Sequence, residues 1–316
     1  MNIYGVIRKS WNYPPVLLMT ATFFWGGNAV VGRFLAPAYS PITISFIRIF
    51  LSVVIILPFI IEPLKKEWPQ FKTHISLFFW FALTGVIGYN FMSYWALSYT
   101  TAINVAILNS LSPIFMMFLS FIIMKESPKR NVVLAVIISL LGVMWVMFDG
   151  SIIRLMSIQW NIGDVIMLGG VLSWAVYSIL LVRNKVNIHP LALFGYSSIF
   201  AVVLLTPFTL YEWLRFDSVF STATGTQWLG LLYLGIFPSI VSFIFWNRSV
   251  FLMGPSRCSV YMNLTAIFAA ILGFVLINET LSFAQIIGGI LISIGVFIAT
   301  RFKVKQSVRQ EKEKCI

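Results

Sequence analysis

Charge is what this sequence has least of. Only 10% of its 316 residues are Asp, Glu, Lys or Arg, against about a quarter in a soluble globule, whose surface must stay wet. So few polar side chains cannot coat a water-soluble body of this length, and lipid must be the solvent over most of the surface. Acidic residues are especially scarce. The ten are Glu62, Glu67, Glu126, Asp149, Asp164, Glu212, Asp217, Glu279, Glu311 and Glu313, and each falls at a span end, in a loop or in the tail. Proton and cation relays within membranes use buried carboxylates, so a carrier without carboxylate-based coupling is expected. The two histidines, His74 and His189, lie between apolar segments. With no base and no carboxylate in the core, an intramembrane enzyme has no nucleophile–base pair to work with, and neither catalytic residues nor a cofactor are expected. The two cysteines, Cys258 and Cys315, form no disulfide framework and no metal-ligand spacing. A sensor or scaffold would need a soluble output domain, and no stretch between the apolar segments has room for one.

What remains is strongly apolar: 59% hydrophobic and 16% aromatic residues. About twenty apolar residues cross the hydrocarbon as a helix. Ten segments qualify, at 14–36, 41–61, 75–98, 101–124, 130–148, 162–182, 190–211, 227–247, 255–277 and 282–300. The first exceeds the roughly 7–15-residue core of a signal peptide and further spans follow, so it reads as a retained helix.

The net charge is +12 with a pI near 9.9. A nucleic-acid partner requires a concentrated basic surface on a soluble module. Here the bases sit in short runs between apolar segments, the pattern of cytoplasmic loops facing anionic headgroups. With the N-terminus inside, eighteen Lys and Arg fall on the cytoplasmic side and only Arg33, Arg154 and Arg215 outside, Arg48 lying within a span. Both termini are then cytoplasmic, which requires an even number of spans.

The chain also contains a weak copy of itself. At an offset of 149, Trp25 meets Trp174, Pro41 meets Pro190, and Pro58-Phe59 meets Pro207-Phe208. At an offset of 153, Ile114-Phe115 meets Ile267-Phe268, Glu126 meets Glu279, and Gly142-Val143 meets Gly295-Val296. Each copy holds five spans, an odd number, so the second enters the membrane the opposite way up. The charges agree: Lys125, Lys129 and Arg130 surround Glu126, and no base surrounds Glu279. The expected fold class is an all-α membrane protein of ten transmembrane helices in two inverted five-helix repeats, residues 1–148 and 149–300, followed by a basic cytoplasmic tail, 301–316. Inverted repeats recur in secondary transporters, where two similar halves expose a midplane site to each side in turn.

Several short pieces carry a family likeness. They are Trp25-Gly26, Pro41 with Arg48, Ala96-Leu97-Ser98-Tyr99, Pro113, Glu126 and Gly142. In the second half they are Gly163-Asp164, Trp174-Ala175-x-Tyr177, Glu279 and Gly288-Gly289. Jointly they resemble the drug/metabolite transporter superfamily, EamA type, over nearly the whole chain; Ala266 stands where the second half would carry the counterpart of Pro113. The resemblance implies a multi-pass carrier of the cell membrane, often an exporter of amino acids or related metabolites. It also implies a small-molecule pathway lined by spans one, three, four, six, eight and nine, with five and ten peripheral. A lipid or lipid-linked sugar flippase is the alternative, and it predicts a lateral opening toward the bilayer.

Within the spans, Arg48 has two readings. It snorkels to the outer headgroups or caps backbone carbonyls, or it faces the pathway and attracts a carboxylate or another anion. The amides Asn28, Asn90, Asn104, Asn109 and Asn263 must find partners in hydrocarbon, either across helices or on a cavity wall. Trp25, Trp174, Tyr94, Tyr177, Trp246 and Tyr261 either line that cavity or pack between helices, while Trp68, Trp160, Trp213 and Trp228 read as interfacial belt residues. Pro113 is a candidate hinge, since proline removes one helical hydrogen bond. Glu126 and Glu279 are gating groups or helix-terminus carboxylates, and Asp164 reads as a cap.

Overall fold

The computed structural model describes residues 13–96, 98–100, 105, 108–151, 161–184, 188–215, 224–277 and 282–301, and among these every regular element is a helix. Among the described residues, nine helices are long and apolar enough to cross a membrane. They are α1 (Pro14–Leu35), α2 (Pro41–Thr73), α3 (Ile75–Ala96), α5 (Arg130–Met147), α6 (Ile162–Arg183), α7 (Pro190–Arg215), α8 (Gly225–Met253), α9 (Pro255–Met262 continuing as Leu264–Ile277) and α10 (Phe283–Arg301). The shorter apolar helix Ser112–Met124 is α4.

Most helix starts are set by local chemistry. Pro14 and Pro41 occupy first-turn positions, where the missing N–H would be unpaired anyway. The Ser40 hydroxyl accepts from the Thr43 amide at 3.1 Å and caps α2. α6 begins with a capping box: Asn161 Oδ1 accepts from the Gly163 amide and Asp164 Oδ2 from the Asn161 amide, both at 2.8 Å. Asp164 is therefore a capping carboxylate, held also by the Thr100 hydroxyl at 2.7 Å. Glu126 is exposed in the turn before α5, whose first helical turn contains no acid. Glu279, Asn104 and Trp160 lie outside the described residues.

Two elements depart from the hydropathy pattern. α2 continues past residue 61 to Thr73 through Pro58, Pro63 and Pro69. At 1.5 Å per residue it is about 50 Å long, well beyond a hydrocarbon core of about 30 Å, so its Lys65, Lys66 and Lys72 end lies past the apolar layer. In the segment expected as the fourth span, residues 110–111 are non-helical ahead of Pro113, which sits in the first turn of α4 rather than inside a continuous helix. α9 breaks in the same way at Asn263 although residue 266 is alanine, so no proline is needed there.

The helices pack in a regular set of pairs. α1 lies against α8 and α9, α6 against α3 and α4, α2 against α7, and α5 against α10. The α5–α10 contact is the most extensive and depends on small residues. A Cβ at Gly142 would come within 2.7 Å of the Gly288 carbonyl, and one at Gly295 within 2.7 Å of the Ala135 carbonyl. Backbones this close leave no room for a side chain, the small-residue packing of helices in lipid. The other faces of this pair are apolar and exposed, with Ile137, Leu141, Ile290 and Phe297 pointing outward.

α3 and α8 each contain one seven-residue π-helical stretch, Ala82–Gly88 and Gly235–Val241. A π turn displaces the hydrogen-bond ladder and leaves carbonyls to be paired by side chains. Ser173 Oγ of α6 donates to the Thr84 carbonyl at 3.0 Å, and Trp25 Nε1 of α1 to the Pro238 carbonyl at 3.2 Å. Pro238 also deprives the Leu234 carbonyl of its usual donor, and the Ser239 hydroxyl takes that place at 2.7 Å.

Candidate functional site

The two π stretches and the two helix breaks surround an internal cavity of about 670 Å³. Its wall is formed by the C-terminal half of α1, the N-terminal half of α2, the second half of α3 and the broken segments of the fourth span and α9. Trp174 of α6, Ser198 of α7 and Ser239 of α8 also line it. The wall reaches exposed Arg33 and Ala36 at the C-terminal end of α1. It includes no Asp or Glu among the described residues.

Trp25, Asn28, Arg48, Asn90, Tyr94, Asn109, Trp174 and Asn263 all border this one space. The structure therefore gathers eight of the ten side chains singled out as pathway candidates. Tyr177 and Tyr261 stand elsewhere. The Tyr177 hydroxyl donates to Asn247 Oδ1 at 2.7 Å in a fully buried layer. Tyr261 shares a hydroxyl–hydroxyl bond with Thr300 of α10.

Arg48 organises the polar part of the wall. It is only 3% exposed, so it neither snorkels to headgroups nor caps backbone carbonyls. Its Nε donates to Ser239 Oγ at 3.0 Å, and its Nη1 to Asn90 Oδ1 at 2.9 Å, Asn28 Oδ1 at 3.3 Å and Tyr94 Oη at 3.4 Å. Every acceptor is uncharged. Ser239 receives the guanidinium proton while its own hydroxyl caps Leu234, which ties Arg48 of α2 to the π stretch of α8.

The amides obey the requirement for partners in hydrocarbon. Asn90 Nδ2 donates to the Val86 carbonyl at 2.8 Å, Asn109 Oδ1 accepts from Tyr89 Oη at 3.0 Å, and Asn263 Nδ2 donates to Ser139 Oγ at 2.9 Å. Three buried polar atoms on residues of the cavity wall have no protein partner: Trp174 Nε1, Ser198 Oγ and Thr265 Oγ1.

A dense aromatic layer adjoins the cavity. Trp25, Trp174 and Trp246 stand with ring centroids 5.5–5.6 Å apart, and Tyr177 and Phe243 pack on Trp174 at 5.3 and 5.9 Å. Offset and edge-on contacts of this kind add about 0.5–1.5 kcal/mol per pair beyond burial. Trp246 and Tyr177 are fully buried, so the cavity does not continue past them.

The wall is wider than the six-span pathway expected from the resemblance. Arg48, Ile49 and Ser52 bring in α2, and Phe194 and Ser198 bring in α7. α5 and α10, expected at the periphery, contribute Val143, Val146, Met147 and Gln285. Ser239 and Tyr89 on the wall, and Asn247 in the buried layer beside it, are polar side chains that sequence reasoning passed over. Asn247 stands 153 residues after Tyr94, so the repeat offset was the signal that pointed to it.

Similar proteins place this architecture. The profile of the EamA-like transporter family matches residues 13–148 and again 161–301. The chain is 25% identical to the uncharacterized transporter YyaM of Bacillus subtilis over 287 residues, covering 90% of this chain and 92% of that protein. It is 26% identical to an uncharacterized transporter of Archaeoglobus fulgidus over 291 residues, covering 90% and 96%. A solved crystal structure, at 18% identity, superposes with a TM-score of 0.72 over 91% of this chain and 96% of its own, a likeness of fold. With a profile match across nearly all of both halves, this multi-pass membrane protein belongs to the EamA-like transporter family.

Proposed function

We propose that the chain is a secondary transporter that moves a small metabolite, an amino acid or a related compound, across the cytoplasmic membrane by alternating access, with export as its direction. The observation that carries this reading is the cavity of about 670 Å³ that reaches Arg33 and Ala36 at one end and stops at the Trp25–Trp174–Trp246 layer. A space of this size suits a small solute, and a substrate in it would meet one side of the membrane at a time.

Two inverted five-helix repeats, ten spans in all, supply the mechanism. The packing pairs support this. Exchanging the halves turns α1–α8 into α6–α3 and α1–α9 into α6–α4, and maps α2–α7 and α5–α10 onto themselves. The π stretches at 82–88 and 235–241 are related by the same offset of 153, as are the close approaches Gly142–Gly288 and Gly295–Ala135. Trp25 and Trp174, at equivalent places, touch each other near the axis of that exchange. The positions of the polar Asn28–Arg48–Asn90–Tyr94 cluster on the cavity wall correspond to Tyr177, Ser197, Phe243 and Asn247, of which Tyr177, Ser197 and Asn247 are buried off the wall. Alternating access would open the second cluster as the first one closes.

Proteoliposomes loaded with unlabelled solute and assayed for uptake of radiolabelled amino acids, sugars and nucleobases test the reading. Counterflow of at least one class is expected, and none across the whole panel would overturn it.

One observation favours a second reading, translocation of a lipid or lipid-linked sugar. An apolar groove of about 570 Å³ runs between α9 and α10, and Ala270 and Gln285 belong to both its wall and that of the cavity. Scrambling of a fluorescent lipid in the same vesicles, with no counterflow of soluble solutes, would select it.

A further inference from the structure

We propose that the cavity is an organic-anion site: its ligand presents a carboxylate to Arg48, and the carboxylate suffices for recognition without an ammonium group. This rests on the transporter reading above and names the substrate class of the same cavity.

The first ground is the state of Arg48. Its guanidinium is buried, and its Nε and Nη1 hydrogen-bond to Ser239, Asn28, Asn90 and Tyr94, while Nη2 has no partner among the described residues. No carboxylate among the described residues lies within ion-pair reach of it. Neutral acceptors orient a guanidinium but do not cancel its charge, and in a low-dielectric wall that charge attracts an anion strongly. A ligand carboxylate reaching Nη2 would supply the missing negative charge through a charge-assisted hydrogen bond.

The second ground is the rest of the wall. Among the described residues its charged side chains are Arg33 and Arg48, and no acid lines it. A cavity of one sign in a low-dielectric setting concentrates counter-ions of the other sign. An organic cation would meet the Arg48 guanidinium, whose hydrogen-bond acceptors are all neutral.

The third ground is the apolar part of the wall. The surrounding Trp25, Trp174 and Tyr89 rings suit an apolar or aromatic body.

The experiment uses the purified full-length protein with ligands matched in body and differing in head group. Phenylacetate, phenylalanine and phenethylamine form one set, and pyruvate and succinate extend the carboxylates. Thermal shift and tryptophan quenching report binding in detergent, and counterflow reports transport. At least one carboxylate without an ammonium group is expected to raise the unfolding temperature and quench emission, with phenethylamine inert. Arg48→Gln should weaken that carboxylate at least tenfold and leave phenethylamine unchanged. Should Arg48→Gln not fold, the wild-type comparison of carboxylate with amine decides alone.

Equal or stronger binding of the amine, or binding of phenylalanine alone, would overturn the proposal, as would carboxylate binding indifferent to Arg48→Gln. Stabilisation that depends on Arg48 but is produced by phosphatidylglycerol and by no free carboxylate would also overturn it, assigning the site to a lipid phosphate. The two readings fail separately. Counterflow of neutral or amine solutes without carboxylates leaves the transporter and removes the anion site. Arg48-dependent carboxylate binding without any counterflow does the reverse.

Discussion

Single side chains in the packed layer beside the cavity are held by specific hydrogen bonds. Tyr177 donates to Asn247 Oδ1 at 2.7 Å, and Asn247 Nδ2 already lacks an acceptor. Tyr177→Phe would leave the whole amide unpaired in a buried layer, a cost of about 1–3 kcal/mol. The unfolding temperature in detergent should fall, and Asn247→Leu added to it should recover most of the loss, because removing both partners leaves nothing unsatisfied. Equal destabilisation by the single and double variants would show that the bond is immaterial. Asp164 offers a second case. It closes the α6 capping box and accepts from Thr100, so Asp164→Ala should destabilise by about 0.5–2 kcal/mol. Its position at a helix start, away from the cavity wall, also bears on energetics. Transport should persist in vesicles with no imposed proton gradient and in the presence of a protonophore. A strict gradient requirement would mean that a carboxylate outside the cavity drives the cycle.

Helices and their irregularities set where those side chains stand. The α5–α10 pair makes a sharp test because adjacent glycines on α10 face different surroundings. A Cβ at Gly288 would lie 2.5 Å from the Gly142 carbonyl and 2.3 Å from Val146 Cγ2, whereas one at Gly289 has no neighbour closer than 3.9 Å. Gly288→Ala should therefore force the helices apart and lower the unfolding temperature. Gly289→Ala should be neutral or stabilising by up to about 1 kcal/mol, the helix-propensity gain. The same sign for both would contradict the close packing.

Much of this level was legible in the sequence. Hydropathy located the nine long helices, the C-terminal ends of α2 and α8 apart, because bilayer thickness imposes their length, and Ser40-Pro41 marked its helix start through local chemistry. The extension of α2 to Thr73 was not legible, since three prolines within one helix read as stops. The π stretches left no trace because what pairs their carbonyls, Trp25 and Ser173, comes from helices distant in the chain. Side-chain gathering followed the same division. The amides and Arg48 stood out because polarity is rare in a span. Tyr177 and Tyr261 carry the same signal, and only the three-dimensional register puts them beside Asn247 and Thr300 instead of the cavity.

At the scale of the whole molecule, the pairing of α1 with α8 and α9, and of α6 with α3 and α4, is what a two-fold exchange of halves requires. An exchange axis lying in the membrane plane turns one half over relative to the other, while an axis along the membrane normal leaves both the same way up. The two cases differ in where equivalent turns emerge. Met124 and Ile277 end helices that the 153-residue offset makes equivalent in the proposed repeat. The first is flanked by Lys125, Lys129 and Arg130, and the second has no base near it. Under the positive-inside rule that contrast puts them on opposite faces. Single cysteines at Glu126 and Glu279, in a chain with Cys258→Ala and Cys315→Ser, test this in intact cells with a membrane-impermeant maleimide. Labelling at Glu279→Cys alone is expected, with Glu126→Cys reacting only after the membrane is opened. Equal labelling of both from outside would place equivalent turns on one face. The halves could then not exchange inward-open for outward-open shapes, and alternating access by inverted repeats would fall with the topology.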